Sequence, residues 1–225
     1  QYADKLEGAE DLNSALHDLI QQVLRDHKRI IFNGNGYDDA WIKEATEKRG
    51  LSNLRTTPDC MPRLLDEKNA SMLISHKVFS MPELQSRCEI MLENYCKSVN
   101  IEALTMADMA KKEILPAIEA YAADLSSAAA AKKAAVPGVA CGYETRLIQR
   151  LSALVDQIDE AAETLGQKII QLKMIAGVTE AANFIRDEIL PAMAALRAPA
   201  DEAETLTAAK YWPFPTYGDL LFGVN

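Results

Sequence analysis

A long stretch without glycine most constrains how this chain folds. Residues 86–135 contain no glycine, and their apolar side chains recur at steps of three and four. That spacing places the apolar side chains on one face of an α-helix. The stretch therefore predicts either one very long helix or two helices separated by a break near residues 98–100.

Two local signals indicate where this helix begins and where it is distorted. Ser80 is a candidate N-cap, and Glu83 follows it at the spacing of a capping box. Pro116 falls inside the helical stretch, where a proline ring clashes with the carbonyl one turn earlier. We therefore expect a helix that starts after Ser80 and is kinked at Pro116.

Two further helical segments follow a Val-Pro-Gly turn. Residues 144–175 carry a coiled-coil-like apolar seam. Residues 179–196 form another helix with Pro191 in its middle, and Pro199 is expected to bend or interrupt the chain after it. The seam consists of Leu147, Leu151, Leu154, Ile158, Ala161, Leu165, Ile169 and Leu172.

Two of these helices share a short similar sequence. The chain reads KKEILPAI at residues 111–118 and RDEILPAM at residues 186–193. One interpretation is coincidence in an alanine-rich chain. The other is a pair of antiparallel helical hairpins whose kinks match.

Composition limits the classes of partner. The chain is 48% hydrophobic and 25% charged, which is ordinary for a soluble protein. A formal net charge of −9 argues against nucleic acid or an anionic membrane as the main partner, and no apolar run is long enough to cross a bilayer. Four cysteines without a C-x-x-C pair predict reduced thiols and a cytoplasmic location.

A glycine-containing stretch near the N-terminus, IIFNGNGYDDAW at residues 30–41, resembles a phosphate loop only in part. Asp39 stands where a G-x-G-x-x-G motif needs its third glycine. Asp38 and Asp39 would also repel a phosphate at the start of the following helix. We expect a helix over residues 11–28, a short strand over residues 29–32, a turn that needs positive φ, and a second helix capped by Asp38.

Other residue types give no catalytic arrangement. The three histidines, at positions 17, 27 and 76, are scattered, so they form no metal-ligand spacing. Carboxylate pairs such as Glu102 and Asp108 lie in helices that carry many charges. We therefore interpret them as solvated surface groups and not as a general acid and base. Methionines at helical spacing are interpreted as core fillers. We predict no catalytic, cofactor-binding or metal-binding residue in this chain.

The C-terminal tail, residues 210–225, is rich in aromatic residues and proline. Pro213 and Pro215 keep it extended. An exposed aromatic tail promotes aggregation, so it should dock either on its own helices or on another domain or subunit. The candidate docking residues are Tyr211, Trp212, Phe214, Tyr217 and Phe222.

Taken together, these motifs resemble the C-terminal part of type III bacterial glutamine synthetases. The resemblance runs in order from Tyr2 almost to the end of the chain. It is carried by the strings HKRIIFNGNGYDDAWIKEATEKRGL, SRCEIMLENYCKSVNIEALTMADM, KEILPAI and KYWPFPTYGDLLF.

The resemblance implies a parent enzyme that joins ammonia to glutamate through γ-glutamyl phosphate, using ATP and Mg²⁺ or Mn²⁺. It implies stacked rings of subunits and a catalytic core upstream of this chain. Residues 1–50 would then be the C-terminal end of the catalytic domain, and residues 51–225 a helical C-terminal domain. The sequence has no Asn-Arg dipeptide of the kind found in that core, so no catalytic residue is carried over.

We therefore predict a mainly α fold: a bundle of long, kinked antiparallel helices after a short helix-strand-turn-helix segment. The chain begins within an acidic amphipathic pattern, so we expect a fragment of a longer protein. Its expected partners are the upstream catalytic domain and ring neighbours, and its expected role is structural, assembly-related or regulatory, without activity alone. The alternative is a coiled-coil-like adaptor that binds partner helices along an exposed seam. A weaker alternative is a regulatory pocket for a small molecule between helices.

Overall fold

The computed structural model describes residues 2–223, which belong to two units. One unit comprises Gln1–Asn53 and the other Leu54–Asn225. Helices dominate both units, so the predicted mainly α fold is confirmed. No helix in the described part of the chain is long and apolar enough to cross a membrane.

The first unit contains one longer amphipathic helix and several short helices. Asp11 caps the longer helix, because its carboxylate accepts hydrogen bonds from the N–H groups of Asn13 and Ser14 at 3.0 and 3.3 Å. The helices are α1 (Tyr2–Leu6), α2 (Leu12–His27) and α3 (Asp39–Lys43), which continues into a π-helical turn, Glu44–Lys48.

The strand expected at residues 29–32 is wrong. Lys28–Ile30 is a turn of 3₁₀-helix, and the Ile31 N–H donates to the Lys28 carbonyl at 3.1 Å. A strand must pair its backbone groups with a neighbouring strand, and residues 2–223 contain no strand to serve as that neighbour. β-Branched side chains alone therefore did not produce a strand here.

The turn that follows does not need a positive φ, in contrast to the expectation. Neither Gly34 nor Gly36 has a positive φ, and the Asn35 side-chain oxygen instead accepts a hydrogen bond from the Tyr37 N–H at 3.0 Å. A Cβ at Gly34 would lie 2.6 Å from the Phe32 ring, so a larger residue there would require that ring to move.

The second unit opens with short helical elements. The Asp59 N–H donates to the Thr56 hydroxyl, so Thr56 caps a helical turn that has Pro58 in its first turn. The local cap explains why the prolines here start helices and do not prevent them. These elements are α4 (Thr57–Cys60), a 3₁₀ turn (Met61–Leu65) and α5 (Glu67–Ser75).

Three long helical rods form most of the second unit, running up, down and up. The middle rod packs between parts of the other two, against α7 and α10, and α9 packs against α6. No break occurs at residues 98–100. The rods are α6 (Met81–Met109), a π turn (Ala110–Ile114) and α7 (Leu115–Ala135); α8 (Gly142–Leu172); and α9 (Val178–Phe184), a π turn (Ile185–Ile189) and α10 (Leu190–Leu206).

The apolar seam of α8 is the core of this bundle. Leu151, Leu154, Ile158 and Leu165 are fully buried between the neighbouring helices of the same chain. An adaptor that binds partner helices along this seam requires those side chains to be exposed. Their burial within one chain contradicts the adaptor alternative.

The two similar sequences take the same distorted form. Pro116 and Pro191 each occupy the second position of an α-helical segment that directly follows a π-helical turn. A π turn contains one residue more than an α turn, so its backbone hydrogen bonds join different pairs of residues. This change of register relieves the clash that the proline ring would make in a continuous α-helix. The distortion expected at each proline is therefore a π turn, and it occurs at matching places in the two rods.

Pro199, where the chain was expected to bend or be interrupted, does not interrupt its helix. It lies inside α10, which continues to Leu206. A proline leaves the carbonyl four residues earlier without its N–H donor. Ala195, which carries that carbonyl, is exposed, so water can solvate the group.

Replacing Ser80 with alanine is expected to lower the free energy of unfolding by about 1 kcal/mol. The Ser80 N–H and hydroxyl both donate to the Glu83 carboxylate, at 2.7 and 2.8 Å, and these bonds hold the pKa of Glu83 below its usual value. Urea unfolding measures the change. The control is Ser86→Ala, an exposed position inside α6 where alanine is a better helix former. Equal stability of the Ser80→Ala variant and the wild type would contradict the capping role.

Candidate functional site

A groove between α6 and α10 is the candidate site of the second unit. It encloses a volume of ≈430 Å³ beside the first π turn. Two alanines, Ala110 and Ala200, keep the helices' facing surfaces small and leave room between larger side chains. The apolar lining consists of Ile101, Met106, Met109, Ala110, Ile114, Met193, Leu196 and Ala200.

The rim of this groove is charged. Arg197 is paired with Asp201, with 3.0 Å between the guanidinium Nε and the carboxylate Oδ2. Glu102 lies on the α6 side of the groove, and within residues 2–223 its carboxylate has neither an ion pair nor a hydrogen bond. The rim therefore carries one carboxylate, on an exposed residue, that has no counter-ion within the described residues.

The methionines are only partly the core fillers that their spacing predicted. Met106, Met109 and Met193 line the groove and are half-buried. Met174, by contrast, is 83% exposed. Helical spacing identifies one face of a helix, but it does not tell whether that face is covered by another helix.

A polar cluster joins α4 to the second π turn. Arg186 contacts Asp59 and Asp187, each at 2.7 Å, and the Thr56 hydroxyl donates to Asp59 at 2.6 Å. The hydrogen bond from Thr56 lowers the pKa of Asp59, and the charge and hydrogen bond of Arg186 lower it further. Burial raises the pKa of nearby Tyr95. The cluster is a structural clamp. Sequence reasoning missed it because Asp59 and Arg186 are 127 positions apart.

The helix caps and prolines singled out in the sequence lie at helix starts and do not form a common site. Asp38 accepts a hydrogen bond from the Ala40 N–H at 3.0 Å at the start of α3. Ser80 and Glu83 lie at the start of α6, and Pro116 and Pro191 each follow a π turn. These residues shape the helices, and none of them lines the groove.

The aromatic tail divides into a docked and an exposed part. The Tyr211 ring lies 5.2 Å from the Tyr121 ring, its hydroxyl donates to Asp124, and Trp212 packs against the core. Phe214 contacts Trp212 edge to face. Beyond these residues the tail is not extended, contrary to the expectation: Thr216 caps a short helix, α11 (Tyr217–Phe222), in which Tyr217 is 84% and Phe222 80% exposed. Residues 224 and 225 of the tail lie outside the described residues.

The glycine-containing stretch of the first unit forms an aromatic stack. Phe32 and Trp41 lie with ring centroids 4.0 Å apart, and the Arg49 guanidinium lies 4.9 Å from the Trp41 ring. Arg49 is also paired with Glu44, which lowers the pKa of that glutamate. The stack packs the turn against α3.

Helix α2 has an uncovered apolar face. None of its residues is buried, although its apolar residues recur at helical spacing. A contiguous apolar stripe of this kind marks an interaction surface. We call it the α2 stripe; it comprises Leu12, Leu16, Ile20 and Leu24, which are 40–57% exposed.

No group of three or more His, Cys, Asp or Glu side chains among the described residues is placed to hold a metal ion. The apolar stripe belongs to the first unit, and the groove and the clamp belong to the second. Over residues 15–133 the chain matches the family described as the glutamine synthetase C-terminal domain, and it belongs to that family.

Similar proteins from three organisms carry related names. The chain is 37% identical to a glutamine synthetase of Butyrivibrio fibrisolvens over 96% of its length. It is 30% identical to the type-3 glutamine synthetase of Dictyostelium discoideum and 26% identical to a glutamine synthetase of Bacteroides fragilis, each over 93% of its length. The chain spans 31% of the first relative and 29% of each of the other two, less than a third of their lengths.

Proposed function

We propose that this chain is the C-terminal part of a type III glutamine synthetase, whose complete polypeptide joins ammonia to glutamate with ATP. The support is the family match and the similarity to relatives that are more than three times as long. In this proposal residues 1–50 complete the catalytic domain, and residues 51–225 form a helical domain attached to it. The parent is a cytoplasmic oligomer built from rings of subunits.

The α2 stripe is the observation that carries the role of the chain itself. Its four large side chains lie exposed along one face of α2. Covering such side chains with apolar surface is worth about 1.5–3 kcal/mol each when burial is complete. The relatives contain a long additional polypeptide, and we assign the stripe to packing against that upstream part of the same chain. The chain then acts as a structural module that supports the catalytic domain.

In this proposal the parent binds ATP and Mg²⁺ or Mn²⁺ in its upstream part. The aspartates that start α3 are unfavourable for a phosphate, and no cluster of metal ligands is formed within residues 2–223.

The isolated chain is expected to form no glutamine from glutamate, ammonia and ATP, whereas the full-length polypeptide that contains it is expected to be active. Chromatographic measurement of glutamine with Mg²⁺ and, separately, Mn²⁺ tests both proteins at equal molar concentration. A reaction without protein is the control. ATP-dependent turnover by the isolated chain would overturn the assignment of catalysis to the upstream part, and an inactive full-length polypeptide would overturn the assignment to this enzyme.

A further inference from the structure

The groove between α6 and α10 has the properties of a ligand site that the proposed function leaves unused. Its volume of ≈430 Å³ lies in the range of pockets that hold small organic molecules. Its inner surface is almost wholly apolar, and three half-buried methionines supply flexible, polarizable contacts. Such a surface fits a compact apolar body.

The rim sets the charge of the molecule that would fit. Arg197 is paired with Asp201 at 3.0 Å, so these two charges balance and the rim keeps the negative charge of Glu102. Glu102 is an unpaired carboxylate within the described range, and Thr105 adds a hydroxyl one turn further along α6. An ammonium group is complementary to this rim, because it supplies three donors and the missing positive charge.

We propose that this groove binds a small apolar molecule that carries one primary ammonium group. The apolar body lies against Met106, Met109 and Met193, and the ammonium lies at the Glu102 carboxylate. The ligand is a small molecule and not a peptide helix, because the groove volume is that of a few side chains. The inference is independent of the glutamine synthetase assignment, since it uses only contacts within the second unit.

The test uses the 225-residue chain with ¹³C-labelled methionine methyl groups and three eight-carbon probes: octylamine, 1-octanol and octanoate. All three are used below their aggregation concentrations. We expect octylamine to shift the methyl resonances of Met106, Met109 and Met193 in a saturable manner, and to leave that of the exposed Met174 unchanged. Single Met→Leu variants assign the resonances. Octylamine is expected to bind about two- to fivefold more tightly than octanol, because an exposed ion pair contributes only this much. Octanoate is expected to bind least tightly of the three.

Two variants separate charge from shape. Glu102→Gln is expected to remove the preference for octylamine over octanol while the methyl groups still respond to both. The matched control is Glu119→Gln, which changes an exposed glutamate on α7 outside the groove and should keep the preference. Ala200→Leu is expected to fill the groove and abolish the response to every probe, with an unchanged circular dichroism spectrum showing that the bundle is folded.

Several results would overturn the proposal. Equal shifts at Met174 and the groove methionines would indicate non-specific adsorption. Octanol or octanoate binding as tightly as octylamine, or an unchanged preference in Glu102→Gln, would remove the role of the rim. Absence of any groove response would also overturn it, and sedimentation of that sample would then show whether a second copy of the chain covers the groove.

Discussion

Replacing Ile158 with alanine is expected to lower the free energy of unfolding by about 2–5 kcal/mol. Ile158 is fully buried in the middle of α8, within the cluster that α7, α8 and α10 share. Removing its branched chain takes away apolar contacts and leaves a cavity that neighbouring helices fill only in part. An effect of this size is a large fraction of the stability of an ordinary domain.

The matched control for this prediction lies on the same helix. Ile170 is 55% exposed, so Ile170→Ala should change the free energy of unfolding by no more than about 0.5 kcal/mol. Urea unfolding followed by circular dichroism measures both variants. Similar losses in the two variants would show that the seam of α8 is not the core of the bundle. A small effect of Ile158→Ala alone would lead to the same conclusion.

In the full-length polypeptide, the paired substitution of Leu16 and Ile20 by aspartate is expected to abolish most glutamine formation. Both side chains belong to the α2 stripe, which we assign to packing against the upstream part of the chain. The change removes apolar burial worth about 3–6 kcal/mol and places two carboxylates in an apolar interface, where unpaired charge is costly. Glutamine formation and the oligomeric state, measured by chromatography and sedimentation, report the effect.

The control adds the same charge to the opposite face of α2. Gln21→Asp combined with Arg25→Gln also makes the helix more negative by two units, on its exposed polar side. That variant should keep the activity of the full-length polypeptide. In the isolated chain, Leu16→Asp with Ile20→Asp should leave the stability of the second unit unchanged. Full activity of the Leu16→Asp, Ile20→Asp polypeptide would contradict the docking role of the stripe.

The helices of this chain could be predicted because their signals are local. The spacing of apolar residues and the glycine-free stretch determine the long rods, and the seam of α8 was identified from periodicity alone. The capping residues Asp38 and Ser80 act within one turn of the helices they start. The hydrogen-bond donor and acceptor of each cap therefore lie within a few residues of each other in the sequence. Such features depend little on the rest of the molecule.

The errors concern features that depend on neighbours. Residues 29–32 have the composition of a strand, but no partner strand is available in the described part of the chain. The distortion expected at Pro116 and Pro191 takes the form of a π turn, which the sequence did not indicate, because the backbone register before each proline depends on packing in the bundle. Helical spacing placed Met174 with the core fillers, although no helix covers it.

The sequence by itself determined the class of fold, the positions of the long helices and the family resemblance, because periodicity, caps and long specific strings are properties of the chain order. Only the tertiary structure decided that α8 is enclosed by its own neighbours, that Asp59 meets Arg186, and that Glu102 faces a groove beside α10. These features join residues far apart in the chain. Their contacts arise from how the helical rods pack against one another, and no local sequence pattern specifies that packing.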